Sequence, residues 1–226
     1  MTIDELMRLS PVIPVLVIED PVHARPIAEA LLQGGLHVLE VTLRTPAALE
    51  IIAEMTKVEG SIVGAGTVLN ADALARSLDA GAHFIVSPGL TETLAECALA
   101  RRTPFLPGVA TASDIMRGLD LGLTHFKFFP AEAAGGVGAL KALAAPFPVC
   151  RFCPTGGITE HNAAGYLALD SVLCVGGSWT TPREAIAARD WERIQKLAMA
   201  ASTLKRRFEA GPVSHHTAVE GPVRRA

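Results

Sequence analysis

The sequence HVLEVTLRTP, residues 37–46, combines a β-strand with the start of a helix. Its apolar residues alternate with polar ones, as in a strand with two different faces, and Thr45-Pro46 is a typical helix start. Similar apolar, β-branched runs begin near residues 12, 37, 61, 83, 104, 125, 148 and 171, about 21 to 25 residues apart, and a helical pattern follows each one. Eight strand–helix units predict an α/β fold of the closed (β/α)8 TIM-barrel type.

Both ends of the chain lie outside this repeat. An amphipathic pattern over residues 2–9 predicts a short N-terminal helix. From Phe208 onward the periodicity is lost and Gly, Pro and mixed polar residues become frequent, which is typical of disorder. We therefore expect a barrel domain over residues 1–207 and a flexible, disordered tail over residues 208–226. His215 and His216 lie in this tail without further ligands at useful spacing, so no metal site is predicted.

Several helix starts inside the repeat can be read from the sequence. Asn70 and Thr91 each precede a helical pattern and are residues that accept hydrogen bonds at a helix N-terminus. The segment Thr181-Pro182-Arg183-Glu184 has the composition of a capping box with proline in the first turn. These signals support a helix after each strand.

An open, doubly wound sheet with a dinucleotide site is the competing architecture. Gly64-Ala65-Gly66 stands at the third predicted strand, which is where a glycine-rich phosphate loop would follow. Leu69 occupies the position of the third glycine, and no acidic residue lies about twenty positions further on. Since a lone G-x-G motif is a weak signal, we set the dinucleotide interpretation aside.

Composition limits the classes of partner. Half of the 226 residues are hydrophobic, 19% are charged, and the net charge is −3, so no broad basic surface for nucleic acid or anionic membranes is expected. The longest early apolar run, residues 12–18, contains Pro14 and is too short to span a bilayer, so neither a signal peptide nor a membrane anchor is predicted. Four cysteines in a chain of this size favour a reducing, cytoplasmic location.

Lys127 is the one charged residue in the apolar run FKFFP, residues 126–130. Burial disfavours the charged form of a lysine, and the neutral amine is a nucleophile. The alternative is a lysine at a strand edge whose stem packs on the rings while its amine reaches water. The surroundings of Lys127 decide between these two interpretations.

The alternation of strand residues places further charges near Lys127. In a barrel, successive residues face the interior and the helix layer in turn, so Lys127 faces inward if its phenylalanine neighbours face outward. By the same rule Glu40, Thr42 and Arg44 face inward from the second strand. Three charges on inner faces are more than a barrel core needs for stability, which favours a functional Lys127.

Polar and glycine residues follow the third, seventh and eighth strands, at the carboxyl ends where barrel active sites form. Thr67 and Thr155 are hydroxyl donors suited to a carboxylate or an oxyanion, although each could be an ordinary turn residue. Gly156-Gly157 and Gly176-Gly177-Ser178 allow backbone N–H groups to approach a phosphate closely. Tight turns without a ligand are the alternative for these glycines.

Taken together and in order, six strings resemble the 2-keto-3-deoxy-6-phosphogluconate (KDPG) aldolases and the related 4-hydroxy-2-oxoglutarate (KHG) aldolases. They are LEVTLRT at 39–45, GAGTVLN at 64–70, SPGLTE at 87–92, FKFFPAE at 126–132, RFCPTGGI at 151–158 and VGGSW at 175–179. The resemblance runs from about Val12 to Trp191. One departure is Ile18-Glu19-Asp20, which stands where some relatives carry a basic residue after the first strand.

The resemblance implies a class I aldolase of the Entner–Doudoroff pathway that cleaves KDPG to pyruvate and glyceraldehyde 3-phosphate, and that also accepts 4-hydroxy-2-oxoglutarate. It implies no metal or organic cofactor, a small 2-keto acid or sugar-acid phosphate as the partner, and a homotrimer. The implied roles are a Schiff base at Lys127, general acid/base at Glu40, binding of the pyruvyl carboxylate at Arg44, Thr67 and Thr155, a ring beside the imine at Phe129, and phosphate binding at Gly156, Gly157, Gly176, Gly177 and Ser178.

Two other functions are compatible with the same residues. The first is a phosphate-binding barrel isomerase or epimerase in which Glu40 is the base and Lys127 only an electrostatic clamp, with no covalent intermediate. The second is a non-catalytic sugar-phosphate binder, because the fold alone does not determine activity. A covalent adduct on Lys127 would distinguish the aldolase from both.

Overall fold

Parallel strands alternate with helices through residues 1–206, the part of the chain that this computed structural model describes. The strands are β1 Val12–Leu16, β2 Val38–Thr42, β3 Ile62–Gly66, β4 Phe84–Val86, β5 Phe105–Leu106, β6 Gly108–Val109, β7 His125–Phe128, β8 Arg151–Pro154 and β9 Val175–Gly177. The helices are α1 Ile3–Leu9, α2 Ala24–Gln33, α3 Ala48–Met55, α4 Ala71–Asp79, α5 Glu92–Ala100, α6 Ala112–Asp120, α7 Gly136–Ala144, α8 Ala163–Leu167, α9 Arg183–Ala187 and α10 Trp191–Ser202, and a 3-10 turn spans Pro21–His23.

The strands form two parallel sheets, one in the order β5-β4-β3-β2-β1-β9 and one in the order β6-β7-β8. Isolated parallel bridges pair Phe152 with Val172 and Thr155 with Gly176, and so connect β8 to the segment that leads into β9. The predicted α/β alternation with parallel strands is confirmed. The fifth predicted strand is divided into β5 and β6 at Pro107, which has no N–H to donate.

The two faces of the strands pack against different layers. Leu39, Val41, Phe126 and Phe128 face the helices and belong to the larger hydrophobic core. The opposite face carries a smaller apolar cluster in which Val38, Phe84, Leu106 and Cys153 pack with Leu6 and Met7 of α1. The alternation predicted for β2 and β7 is therefore correct, and it places Glu40 and Lys127 on the face that α1 covers at one end.

A polar contact between Asp4 and His125 connects helix α1 to the start of β7. His125 Nε2 lies 3.0 Å from Asp4 Oδ1, and Arg8 Nε donates to Asp4 Oδ2 at 2.6 Å. Burial of the ring is the main cause that lowers the pKa of His125; Arg151 and Arg8 act in the same direction, while Asp4 acts against them. Burial alone would raise the pKa of Asp4, but hydrogen bonds from Arg8 and His125 outweigh it.

This contact predicts a loss of stability on mild acidification. The unfolded chain binds a proton at His125 near pH 6.5, the folded chain only at lower pH, so the free energy of unfolding falls as the pH drops below 6.5. The contribution of Asp4 is lost only below its ordinary value of 3.8, outside this window. Urea unfolding at pH 7 and pH 5 should show a smaller pH effect for His125→Asn than for the unmutated chain. His161→Asn, at an exposed position, should keep the full effect; equal effects in all three proteins would contradict the prediction.

The helix starts follow the sequence in part. Asn70 Oδ1 accepts from the N–H of Ala73 at 2.8 Å, and the Thr91 hydroxyl accepts from Leu94, so both predicted caps are confirmed. The capping box at residues 181–184 is wrong, because Pro182 is the cap residue and the Thr181 hydroxyl donates instead to the carbonyl of Ser178 at 3.5 Å. Likewise, α3 begins at Ala48 rather than directly after Thr45-Pro46.

The predicted tail over residues 208–226, and the domain boundary at residue 207, lie outside the described residues. Within residues 1–206, none of the helices has the length and hydropathy that crossing a bilayer requires.

Candidate active site

A buried ion pair lies at the centre of the candidate site. The amine of Lys127 donates to Glu40 Oε1 at 2.9 Å, and the two residues are only 6% and 3% exposed. Lys127 comes from the middle of β7 and Glu40 from the middle of β2, which belong to different sheets. Two charges removed from water in this way seldom add stability, because desolvation offsets their attraction. The pair is therefore better explained by chemistry than by folding.

Glycine at position 66 makes room for the carboxylate of Glu40. A Cβ built on Gly66 would lie 2.2 Å from Glu40 Oε1, far inside contact distance. The sequence contained a signal for this role, since glycine inside a strand often marks a close approach of another group. Neither the G-x-G pattern nor the string GAGTVLN by itself indicates which group approaches, so the supporting role of Gly66 was not predicted.

The ring of Phe129 lies beside the amine of Lys127. Its centroid is 5.5 Å from Lys127 Nζ, within the range of a cation–π contact. Phe129 directly follows β7, and its N–H donates to the carbonyl of Val109 at 3.1 Å, which fixes the backbone next to the lysine. The half-buried ring thus covers one side of the amine.

Thr155 follows β8, the strand next to β7, and is buried at 5% exposure. Its N–H donates to the carbonyl of Phe128 at 2.9 Å, and its hydroxyl donates to the carbonyl of Cys153 at 3.3 Å. A Cβ on Gly176 would lie 2.3 Å from this hydroxyl, so the glycine leaves the space that the threonine side chain occupies. The structure therefore places Thr155 and Gly176 side by side on neighbouring strands, near the lysine.

Thr67 adopts a backbone conformation that the sequence does not indicate. Its φ is 59°, in the left-handed region that β-branched residues avoid. Residues held in such conformations cost about 1–3 kcal/mol and are concentrated at functional sites. Thr67 directly follows β3, two residues after Ala65, and lines a cavity with Leu43, Thr45 and Asn70.

The sequence predicts that Arg44 faces inward from β2. The structure does not bear this out. The strand ends at Thr42, and the N–H of Arg44 donates to the carbonyl of Thr42 at 2.8 Å, which turns the chain at this point. The exposed Arg44 side chain lines a cavity of about 380 Å³ with Ser178 and Arg183, and Thr67 lines a separate one. Within residues 1–206, no carboxylate forms an ion pair with Arg44, so its guanidinium is available to a ligand.

The glycine pairs have local reasons for being glycine. Gly156 and Gly157 have φ values of 100° and 77°, which residues other than glycine rarely adopt. A Cβ on Gly177 would lie 1.8 Å from the ring of Trp179, so the indole packs directly on this backbone. The alternative of turn and packing glycines therefore accounts for their conformation, and phosphate binding at Gly156, Gly157, Gly176 and Gly177 stays a prediction. Ser178, the next residue, is exposed.

A hydrogen-bonded pair braces the turn after β8. The Tyr166 hydroxyl donates to Glu132 Oε1, and the N–H of Glu132 donates to the carbonyl of Gly156 at 3.1 Å. Burial, followed by the hydrogen bond and the charge of Glu132, raises the pKa of Tyr166 well above its ordinary value. Because the phenol stays protonated and donating, this brace holds the Gly156-Gly157 turn in place.

Known proteins are similar to this chain in sequence and in fold. The model of the KDPG and KHG aldolase family matches residues 3–197. The 2-dehydro-3-deoxy-phosphogluconate aldolase of Zymomonas mobilis is 58% identical over 204 residues, which cover 90% of this chain and 97% of that protein. A crystal structure of the KDPG aldolase of Zymomonas mobilis ZM4 with 3-phosphoglycerate matches with a TM-score of 0.88, 58% identity, and coverage of 91% of this chain and 97% of that one. The KDPG aldolase of Legionella pneumophila, solved with pyruvate captured at low pH as a covalent carbinolamine intermediate, matches with a TM-score of 0.87, 46% identity, and coverage of 90% and 99%.

Proposed function

This chain belongs to the family of KDPG and KHG aldolases, and on that premise we propose that it cleaves KDPG to pyruvate and glyceraldehyde 3-phosphate through a Schiff base on Lys127. The same chemistry would cleave 4-hydroxy-2-oxoglutarate to pyruvate and glyoxylate. One observation carries the proposal: a buried amine lies 2.9 Å from a buried carboxylate. As a carbon–carbon lyase acting on KDPG, the chain would serve the Entner–Doudoroff pathway.

The Lys127–Glu40 distance allows the first step. Glu40 accepts a proton from the Lys127 ammonium, and the neutral amine then adds to the ketone carbon of the substrate. The protonated Glu40 returns this proton to the carbinolamine hydroxyl, which leaves as water, so that a protonated imine forms and Glu40 is again a carboxylate. Phe129, with its ring beside the amine, excludes water from one side of this group.

Glu40 also serves the second step. It removes the proton from the hydroxyl on the carbon beyond the bond to be cleaved, directly or through a water molecule. The carbon–carbon bond breaks, the aldehyde leaves, and the electron pair passes into the imine to give an enamine. Protonation of the enamine carbon and hydrolysis then release pyruvate and restore the amine.

The remaining predicted residues hold the two ends of the substrate. Arg44, Thr67 and Thr155 bind the pyruvyl carboxylate; support comes from an arginine without an acidic partner among residues 1–206 and from a buried hydroxyl near the lysine. Gly156, Gly157, Gly176, Gly177 and Ser178 bind the phosphate, and the bridge between Thr155 and Gly176 supports the proximity of the two glycine segments.

Three coarser predictions accompany the mechanism. We propose that the two sheets belong to one closed (β/α)8 barrel, because only Pro107 separates β5 from β6 and bridges connect β8 with β9. A homotrimer and a cytoplasmic location stay predictions; the first rests on the resemblance and the second on cysteine usage. Sedimentation equilibrium would measure the assembly.

Borohydride trapping with pyruvate tests the function. The protein is incubated with pyruvate, reduced, and digested, and the peptides are mapped by mass spectrometry. We expect the reduced adduct on Lys127, and none on the exposed Lys141, which serves as an internal control. If no lysine carries the adduct, the Schiff-base mechanism fails and the non-covalent isomerase becomes the better explanation.

A further inference from the structure

The cavity beside Arg44 has a composition that suits an anion. Among residues 1–206, its lining has two guanidinium groups and two hydroxyl groups but no carboxylate, and its volume is about 380 Å³. Its lining residues are Val15, Val17, Arg44, Ser178, Thr181, Pro182 and Arg183. The sequence places Arg183 at a predicted helix start and does not indicate a role in substrate binding.

Arg183 is held on its other side by a residue of the segment after β1. Its Nη2 donates to Glu19 Oε1 at 2.9 Å, and the two side chains are 85% and 74% exposed. An ion pair this open to water is weak, since solvent and salt screen it. Arg183 also lines a second cavity, together with Glu19 and Asp20. Its side chain therefore lies between this acidic cavity and the basic cavity beside Arg44.

We propose that Arg183 is a specificity residue that binds the substrate phosphate with Ser178, and that Glu19 competes with the phosphate for it. The inference rests on the proposed function, because it requires a phosphorylated substrate. In this chain a cation beside Ser178 comes from the start of α9, and the segment after β1 supplies its counter-ion.

The larger negative charge of a phosphate lets it replace the Glu19 carboxylate as the partner of Arg183. A phosphate monoester carries about −1.5 to −2 charges at pH 7 and three acceptor oxygens, compared with one charge on Glu19. The planar fork of a guanidinium can donate two parallel hydrogen bonds to phosphate. Arg183 therefore moves from Glu19 to a bound phosphate. With a short, unphosphorylated ketoacid it stays with Glu19.

Kinetics of Arg183 variants test the proposal. Arg183→Ala should raise the KM for KDPG about tenfold, the scale of one lost hydrogen bond to a charged group, and should change kcat less than twofold. The dissociation constant of 3-phosphoglycerate, measured by calorimetry, should rise by a similar factor. Arg183→Lys, which keeps the charge but not the fork, should recover part of the loss. The KM for 4-hydroxy-2-oxoglutarate should rise far less than the KM for KDPG.

Arg193→Ala is the matched control. Arg193 is also an exposed arginine paired with a glutamate, at 3.0 Å from Glu184, but it lies on α10 outside the cavity. Its KM for KDPG should equal that of the unmutated chain. The assignment would be overturned if Arg183→Ala also had the KM for KDPG of the unmutated chain. It would be overturned as well if the KM for KDPG and the KM for 4-hydroxy-2-oxoglutarate rose by the same factor.

The competing role of Glu19 has its own readout. Glu19→Gln should lower the KM for KDPG about twofold, because a screened surface pair is worth little. In the Arg183→Ala background the same change should have no effect, since the two residues act through one interaction. A Glu19→Gln effect of the same size in both backgrounds would overturn the competition.

Trapping with pyruvate separates this proposal from the proposed function. An adduct on Lys127 combined with an unchanged KM for KDPG in Arg183→Ala would refute the role of Arg183 alone. The absence of any adduct in the unmutated chain would refute the aldolase mechanism, on which the role of Arg183 depends.

Discussion

Replacing Lys127 by alanine is expected to remove KDPG cleavage almost completely. The substitution deletes the only atom that can form the proposed imine, so kcat/KM should fall by roughly 10⁴-fold or more, the scale seen when a covalent nucleophile is removed. A coupled assay for released pyruvate measures the loss, and borohydride trapping should give no adduct. Lys141→Ala, at an exposed position on α7, should retain normal turnover.

Lys127→Arg distinguishes a nucleophile from an electrostatic clamp. Arginine keeps a positive charge that can face Glu40, but it cannot form a Schiff base at neutral pH. If Lys127 acts only as a clamp, as in an isomerase, this variant should keep a substantial part of the activity of the unmutated chain. Turnover as low as in Lys127→Ala would support the covalent mechanism.

The structure also predicts how the removal of Lys127 affects stability. Because Lys127 pairs with Glu40 at 2.9 Å, its removal leaves a buried carboxylate unpaired, which costs about 3–5 kcal/mol in buried pairs. The double variant Lys127→Met with Glu40→Gln should recover much of this loss. Inactivity in that folded protein can then be assigned to missing chemistry.

Replacing Glu40 by glutamine is expected to lower kcat by about 10²- to 10⁴-fold, the usual contribution of a general base. Glutamine retains an oxygen that can accept from Lys127, so the amine should keep its position, and trapping should still yield an adduct, although more slowly because solvent must take the lysine proton. Exchange of the pyruvate methyl protons with deuterated solvent, followed by NMR, reports enamine formation and should slow with kcat.

A surface glutamate provides the comparison for Glu40. Glu92→Gln on α5 removes a carboxylate that lies 4.0 Å from Arg117 in an exposed pair, and its kinetics should be normal. If Glu40→Gln exchanged methyl protons at the normal rate, the base would be another group. A complete failure of adduct formation would instead show that solvent cannot replace Glu40 in deprotonating the lysine.

The sequence was most reliable where geometry repeats. Residues in a strand alternate between two faces, so the apolar neighbours of Glu40 and Lys127 sufficed to place both on the same side. The alternation fails where the strand stops. The bond from the N–H of Arg44 to the carbonyl of Thr42 ends β2 two residues early, and sequence patterns locate such ends poorly.

Other features of the site depend on contacts between distant segments. The left-handed backbone of Thr67 runs against the preference of a β-branched residue, so no local pattern predicts it. Arg183 and Glu19 are 164 positions apart, and their pairing follows from the fold rather than from either local sequence. The Thr181 hydroxyl, expected at a helix cap, instead donates to the carbonyl of Ser178 three residues earlier, a local contact that competes with capping.

The missing side chain at position 66 limits how this enzyme can be altered by laboratory evolution. Since even a methyl group there would meet Glu40 at 2.2 Å, every non-glycine member of a library at this codon would displace the Glu40 carboxylate. The exposed positions Ser178 and Arg183 carry no such restriction. A search for variants that accept new substrates should therefore keep glycine at position 66 and vary the exposed positions 178 and 183.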